Sequence, residues 1–240
     1  MSDLEIIDLY SPKGNEARLY HRSNTSDLSL TGGFWRLWGV LSDEYKLAEL
    51  PTMTGLAIDV GAHVGSISLA LLADHPELRV IAVEPLAENC DVMRKSARIN
   101  GWSDRLTIIN GAIGRGETVD IRWGFDPTEF FIGSAVQGTY ARDNRYIGGI
   151  DADAPQTLTV PAYTLSGIAD GRDIDFLKTD CEGCEWALLD DPAVDRVARI
   201  AGEGHDGGWL EKLHLLLDET HIIDVLDDRG GPGTFRATHR

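Results

Sequence analysis

The sequence predicts a single α/β domain on a mostly parallel sheet of about seven strands, with helices on both faces. Three observations predict it. Short apolar runs end in turns that carry an acid, as Leu56–Val60 does at Asp59-Val60-Gly61 and Arg79–Val83 does at Glu84-Pro85. Stretches with helical spacing of apolar residues lie between those runs. The 240 residues, 42 % of them apolar, suit one large core.

Leu56–Val60 is apolar on both sides, as a parallel strand covered on two faces must be. Val64–Ala73 reads as a helix that stops before Pro76. Arg79–Val83 is the second strand. The next helix places Leu86, Cys90, Met93 and Ala97 on one face and ends at Asn100-Gly101. Leu106–Ile109 is the third strand, and the alternation so far implies right-handed crossovers. Residues 111–160 interrupt it. Thr118–Trp123 and Thr157–Tyr163 read as strands, and 124–155 between them is long for a loop, so it reads as an insertion on the acceptor side. Ser134, Gln137, Tyr140, Arg142 and Arg145 are its candidate contacts. Alternation resumes with a strand at Ile174–Thr179, a helix at Cys184–Leu189 and a strand at Val197–Ala201. A helix at Trp209–Leu217 presents Leu210, Leu213 and Leu217, and His221–Leu226 and Thr234–Thr238 are the last two strands.

Residues 1–54 lack a clean period and carry Phe34, Trp35, Trp38 and Tyr45. They read as an irregular or helical cap on a domain of 55–240, its aromatics either a lid over a ligand or plain core packing.

The formal net charge is −17 and no Lys/Arg run occurs, which disfavours nucleic acid and anionic membranes as partners. No apolar run approaches the roughly 20 residues that span a bilayer. The three cysteines, Cys90, Cys181 and Cys184, are an odd number, and Met1–Tyr10 has no signal-peptide pattern. Together these predict the cytoplasm, a reducing compartment, and no role for the Cys181–Cys184 pair beyond structure. Homo-oligomerisation is left open.

The first strand runs into Asp59-Val-Gly61-Ala62-His63-Val-Gly65. A dinucleotide fingerprint needs a slim middle glycine so that the backbone can approach a pyrophosphate. Ala62 and His63 stand there instead. The pattern fits a ligand with an amino-acid tail, whose ammonium Asp59 can hold while loop amides face its carboxylate. Glu84, followed by Pro85, ends the second strand, where an acid holds ribose hydroxyls. Asn110, Gly111 and Ala112 end the third, where Asn110 or a nearby amide reads an adenine edge. S-adenosylmethionine is the ligand with all these parts.

The fourth strand ends in Lys178-Thr-Asp180-Cys-Glu182-Gly183-Cys-Glu185. Carboxylates gathered at a strand end are costly unless paired, which marks a functional site. Lys178 reads as the partner of one of them. With the D-x-G-A-x-x-G loop and Gly202-Glu203-Gly-His205, this block resembles the FkbM methyltransferase family over residues 55–225. The chain departs from that pattern at Gly202, where bulky aliphatics are usual. The resemblance implies a Rossmann-like class I methyltransferase fold, S-adenosylmethionine as donor, and a hydroxyl acceptor on a sugar or secondary metabolite. His205, Asp180 and Glu182 are the candidate bases, His205 first because its free pKa suits neutral pH. Asp180, Glu182 and Glu203 would also suit Mg²⁺, although metal-free chemistry is the expectation. The alternatives are a nicotinamide-dependent oxidoreductase, a non-catalytic ligand-binding protein on the same fold and, disfavoured by charge, a nucleic-acid methyltransferase.

Overall fold

The computed structural model describes residues 4–22, 40, 42–126, 131–136, 156–205, 207–228 and 233–240. It opens with an antiparallel hairpin, β1 (Leu4–Tyr10) and β2 (Glu16–Arg22). This corrects the irregular or helical reading of the N-terminus. The hairpin places Leu9, Ala17 and Leu19 in the core with the helices that follow. Phe34, Trp35 and Trp38 lie outside the described residues; Tyr45 is described and buried.

The alternation then runs β3 (Leu56–Val60), α1 (Ser66–Asp74), β4 (Arg79–Glu84), α2 (Ala87–Ile99) and β5 (Leu106–Asn110). A short β6 (Ala112–Ile113) leads into β7 (Thr118–Asp126), β8 (Phe131–Val136) and β9 (Gln156–Tyr163). The chain continues through α3 (Leu165–Ala169), β10 (Phe176–Thr179), α4 (Glu185–Leu189), β11 (Arg199–Gly204), α5 (Trp209–Leu217), β12 (His221–Asp227) and β13 (Gly233–His239).

Seven strands form the main sheet in the order β12-β13-β11-β10-β3-β4-β5. Only β13 opposes its neighbours; the other pairings are parallel. One apolar cluster packs α1, α2 and the hairpin on one face, and a second packs α3, α4 and α5 on the other. This is the predicted Rossmann-like α/β architecture. Strand order reverses between β3 and β10, the place where such sheets hold ligands beyond their carboxyl edge.

α1 is apolar on nearly every side, with Ser66 through Leu72 all buried. A helix at a protein surface would have a polar stripe. Here the hairpin takes the place of solvent: Tyr20 N donates to Ser96 Oγ at 2.9 Å and Arg18 N to Asn100 Oδ1 at 2.8 Å on neighbouring α2.

The interruption between β5 and β10 is a second sheet, β6-β9-β7-β8. The backbone of β8 falls within the expected insertion at 124–155, and most of that stretch, with Gln137, Tyr140, Arg142 and Arg145, lies outside the described residues, as does the side chain of Ser134. Ile174 makes only an isolated bridge to Val197, so the fourth strand of the alternation begins at Phe176. The fifth runs on to Gly204, beyond the expected Ala201. Its two glycines resemble a strand end, but pairing of Glu203 with Thr234 and Gly204 with Gly233 extends the ladder.

Candidate active site

Gly61, His63 and Gly65 all sit at positive φ (72°, 53° and 89°), which turns the chain sharply from β3 into α1. At Gly61 the geometry is strict. A β-carbon there would collide with the carbonyl oxygen of Asp180. The loop is stitched to the second strand: Gly61 N and Ala62 N donate to Val83 O (3.0 and 3.1 Å), and His63 N donates to Glu84 Oε2 (2.9 Å). Gly65 N donates to Ala62 O (2.8 Å). This corrects the expectation that these amides face a ligand carboxylate. These four amides are already paired within the protein, and just beyond them the first turn of α1 is a place where a helix leaves its amides without intrahelical partners.

Asp59 is fully buried. Its Oδ2 accepts from Ser68 Oγ (2.6 Å), while Oδ1 accepts no hydrogen bond among the described residues and stands 3.5 Å from Lys178 Nζ. An orphaned, buried carboxylate oxygen beside the loop fits an incoming ammonium. Lys178 also donates to Gly61 O (2.9 Å) and lies 3.5 Å from Asp180 Oδ2, so it ties β10 to the loop, as the pairing reading expects.

Glu84 is 3 % exposed. Besides His63 N, it accepts from Leu86 N (3.0 Å) and Asn89 Nδ2 (3.1 Å) through Oε1. Burial raises its pKa against the pull of those hydrogen bonds. Oε2 retains a lone pair for a ribose hydroxyl. Asn110 differs from expectation: its amide nitrogen donates to Glu84 O (3.1 Å) and Pro85 O (2.7 Å) and ties β5 to the end of β4.

Beside the loop opens a small, partly open cleft. Gly61, Pro85 and Ala112 line it with Val60, Val83, Ile113, Ile121 and the two cysteines. Of these, Val83 and Ile121 read in the sequence only as strand residues, because apolar character alone does not distinguish a cleft wall from core. Cys181 and Cys184 are joined as a disulfide, not the free pair that a reducing compartment implies.

The carboxylates gather at the ends of β10 and β11. Gly202 explains how. A β-carbon there would collide with the Thr179 carbonyl, so a glycine at 202 lets the two strand ends approach. His205 is 4 % exposed. Its Nδ1 donates to the fully buried Glu185 (3.0 Å), and its Nε2 lies 3.1 Å from Glu203 Oε2, 3.7 Å from Glu182 Oε2 and 3.9 Å from Asp180 Oδ1. Burial alone would lower the imidazole pKa. The hydrogen bonds to Glu185 and Glu203 and the charge of Glu182 outweigh it and raise the pKa well above the usual histidine value. A ring shifted in this direction gives up its proton less readily than a free imidazole, which weighs against His205 as the base.

Burial would likewise raise Asp180, but Lys178 and His205 hold its carboxyl below the usual value. Burial pushes Glu182 up to about 7, with Asp180, Glu203 and Glu185 adding to the shift and His205 opposing it. Two residues from the N-terminal segment complete the group. Tyr45 OH donates to Asp180 Oδ2 (3.1 Å), and Glu44 is raised to about 8 by burial and by Glu203. Glu44 carried no signal in the sequence, and Tyr45 only that of an aromatic. Asp180, Glu203 and His205 each place a ligand atom within 4.8 Å of the others, a donor set that a divalent cation could use.

Residues 59–229 match the model of the methyltransferase FkbM domain. The chain belongs to the FkbM methyltransferase family. S-adenosylmethionine is the methyl donor of this family, and the Asp59 oxygen that accepts no hydrogen bond among the described residues fits its ammonium. Membership sets aside the nicotinamide alternative, as the missing middle glycine already argued. No curated protein matches the chain. Among solved structures, the 16S rRNA N2 G1207 methyltransferase of T. thermophilus, in complex with AdoMet and guanosine, is similar in fold. It shares 10 % identity over 100 % of this chain and 52 % of its own, with a TM-score of 0.54. The precorrin-6y C5,15-methyltransferase of Geobacter metallireducens GS-15 shares 13 % over 83 % of this chain and 85 % of its own, with a TM-score of 0.47. No helix among the described residues is long and apolar enough to cross a membrane.

Proposed function

We propose that this FkbM-family methyltransferase methylates a hydroxyl of a small molecule, a sugar or secondary metabolite, and that Glu182 is the base. The observation that carries this reading is the carboxylate group beside the cofactor cleft, in which one member has a pKa of about 7. S-adenosylmethionine supplies a methyl group already activated by its sulfonium. What remains for the protein is to align the acceptor, exclude water and accept a proton.

Asp59 holds the donor's ammonium and Glu84 its ribose. Gly61, Ala62, His63 and Gly65 shape the turn around them. Pro85 and Ala112 form the wall on the adenine side, and Asn110 supports that wall from behind. Glu182 accepts the hydroxyl proton as the oxygen attacks. Asp180, fixed by Lys178 and Tyr45, accepts a hydrogen bond and orients the acceptor. His205 keeps its proton and offsets the negative charge of its neighbours. The N-terminal segment contributes to the acceptor side through the turn at 42–45, which brings Glu44 and Tyr45 to the carboxylates.

A small acceptor suits a chain of formal charge −17 better than RNA does. An amine acceptor is a weaker fit, because a neutral amine attacks without a base. The chemistry is proposed to be metal-free: full chelation should leave the rate unchanged, and loss of activity restored by Mg²⁺ would overturn this. Methyl transfer from labelled donor to a panel of hydroxylated metabolites, amines and RNA tests the acceptor class. Turnover confined to hydroxyls is expected. Turnover of amines or RNA alone would replace the reading, and none with any acceptor would favour a binding protein.

A further inference from the structure

The Cys181–Cys184 disulfide stands where three parts of the site meet. Both cysteines line the cofactor cleft. The turn they close carries Glu182, the proposed base. The amides of Cys181 and Gly183 donate to the buried Glu185 (3.0 and 2.9 Å), which also holds His205. On the other side the turn abuts the glycine loop. A β-carbon on Gly61 would lie 3.2 Å from Cys181 Cα, after colliding with Asp180 O. A shift in this turn therefore reaches the loop, the cleft wall and the carboxylates together.

We propose that this disulfide is a redox switch on the cofactor cleft. Closed, it holds residues 180–184 as part of the wall; opened by a dithiol reductant, it frees the turn and lowers affinity for S-adenosylmethionine. The inference rests on the cleft being the cofactor site. Opening returns conformational freedom that binding must then remove, which weakens association.

The chemistry balances as thiol–disulfide exchange. Cys181 is partly exposed and Cys184 is 3 % exposed, so a reductant thiolate attacks Cys181 Sγ. The S–S bond breaks, its electron pair leaves on Cys184 Sγ, and that thiolate takes a proton from water. The second thiolate of the dithiol attacks its own sulfur in the mixed disulfide. It releases Cys181 as a thiolate, which is protonated in turn, and the reductant leaves as a cyclic disulfide. Two electrons pass to the protein, and exchange with a more oxidising disulfide reverses the step.

The test uses the full chain in air-oxidised and dithiothreitol-reduced form, with S-adenosylhomocysteine as the probe. Calorimetry reads Kd, and alkylation under native conditions followed by mass spectrometry counts open thiols. Cys90 stays silent, because burial and Glu84 push its thiol up to about 12. The expected result is a Kd raised about tenfold or more on reduction, within the usual range of coupling between two events. By the same linkage, saturating S-adenosylhomocysteine should lower the fraction of open pair at equilibrium in a fixed dithiothreitol redox buffer, by the same factor. The double variant Cys181→Ser, Cys184→Ser should bind weakly with and without dithiothreitol. If it fails to fold, the two wild-type forms carry the test. Equal affinity in both forms, or a pair already open in the oxidised sample, would overturn the switch alone. No binding in either form would remove the cofactor reading with it.

Discussion

At the residue scale, the site turns on a few carboxylates whose environments set them apart. Glu182 accepts a proton only when it has lost its own. Its pKa is raised to about 7, so the ionised form exists above that pH. The expected kcat/KM therefore rises with pH through about 7, with His205, Asp180, Glu203 and Glu185 facing the group throughout. Glu182→Gln should lower kcat by roughly 10²–10⁴ and abolish that rise, the range for a lost general base; a profile unchanged by the substitution would point to another base. Glu84→Gln keeps the shape of the side chain while removing its charge. Titration with S-adenosylhomocysteine should register a loss of about 1.5–3 kcal/mol, as for hydrogen bonds to a charged group. Gly61→Ala forces a β-carbon at φ 72° into the Asp180 carbonyl. Strain of this kind costs about 1–3 kcal/mol or more, so thermal unfolding should shift down by several degrees. The carboxylates, Glu84 and the glycine turn were legible in the sequence because their chemistry is written in residue type. The raised pKa of His205 was not, because it depends on burial of the ring and on the block Asp180, Glu182 and Glu185 meeting Glu203 around it.

At the element scale, the hairpin β1–β2 decides how α1 can exist. An all-round apolar helix needs cover on its outer side, and Leu9 and Leu19 supply it at 1 % exposure each. Leu19→Ala should cost about 2–5 kcal/mol of global stability in denaturant titration, the range for a buried leucine. A loss below about 1 kcal/mol, a typical surface value, would mean that the hairpin frays from the domain. The alternation from β3 onward was readable because parallel strands buried on both faces are continuous apolar runs. The hairpin was not, since its strands mix polar and apolar residues without a regular alternation. Strand β11 was read short for a related reason: its last residues pair with β13, a partner distant in sequence.

At the scale of the whole molecule, charge and topology act together. Strand order reverses between β3 and β10, so the loop after one and the carboxylates after the other meet at a single edge. A formal charge of −17 surrounds them. Labelled methyl transfer to total RNA should stay at background even at low ionic strength, where any electrostatic attraction would be strongest. Transfer to RNA that weakens steeply with added salt would reverse the acceptor assignment.

The sequence by itself determined the fold class, the Asp59–Gly65 turn, the acid at Glu84 and the carboxylate block after β10, because each is written in residues close together along the chain. Tertiary structure alone decided the surroundings that raise the pKa of His205, the arrival of Glu44 and Tyr45 at that block, the closing of Cys181 on Cys184 and the use of the loop amides within the protein. Burial and distant partners set the first two, and the exact backbone path of a short turn sets the closing of the cysteines; residue type along the chain records none of these.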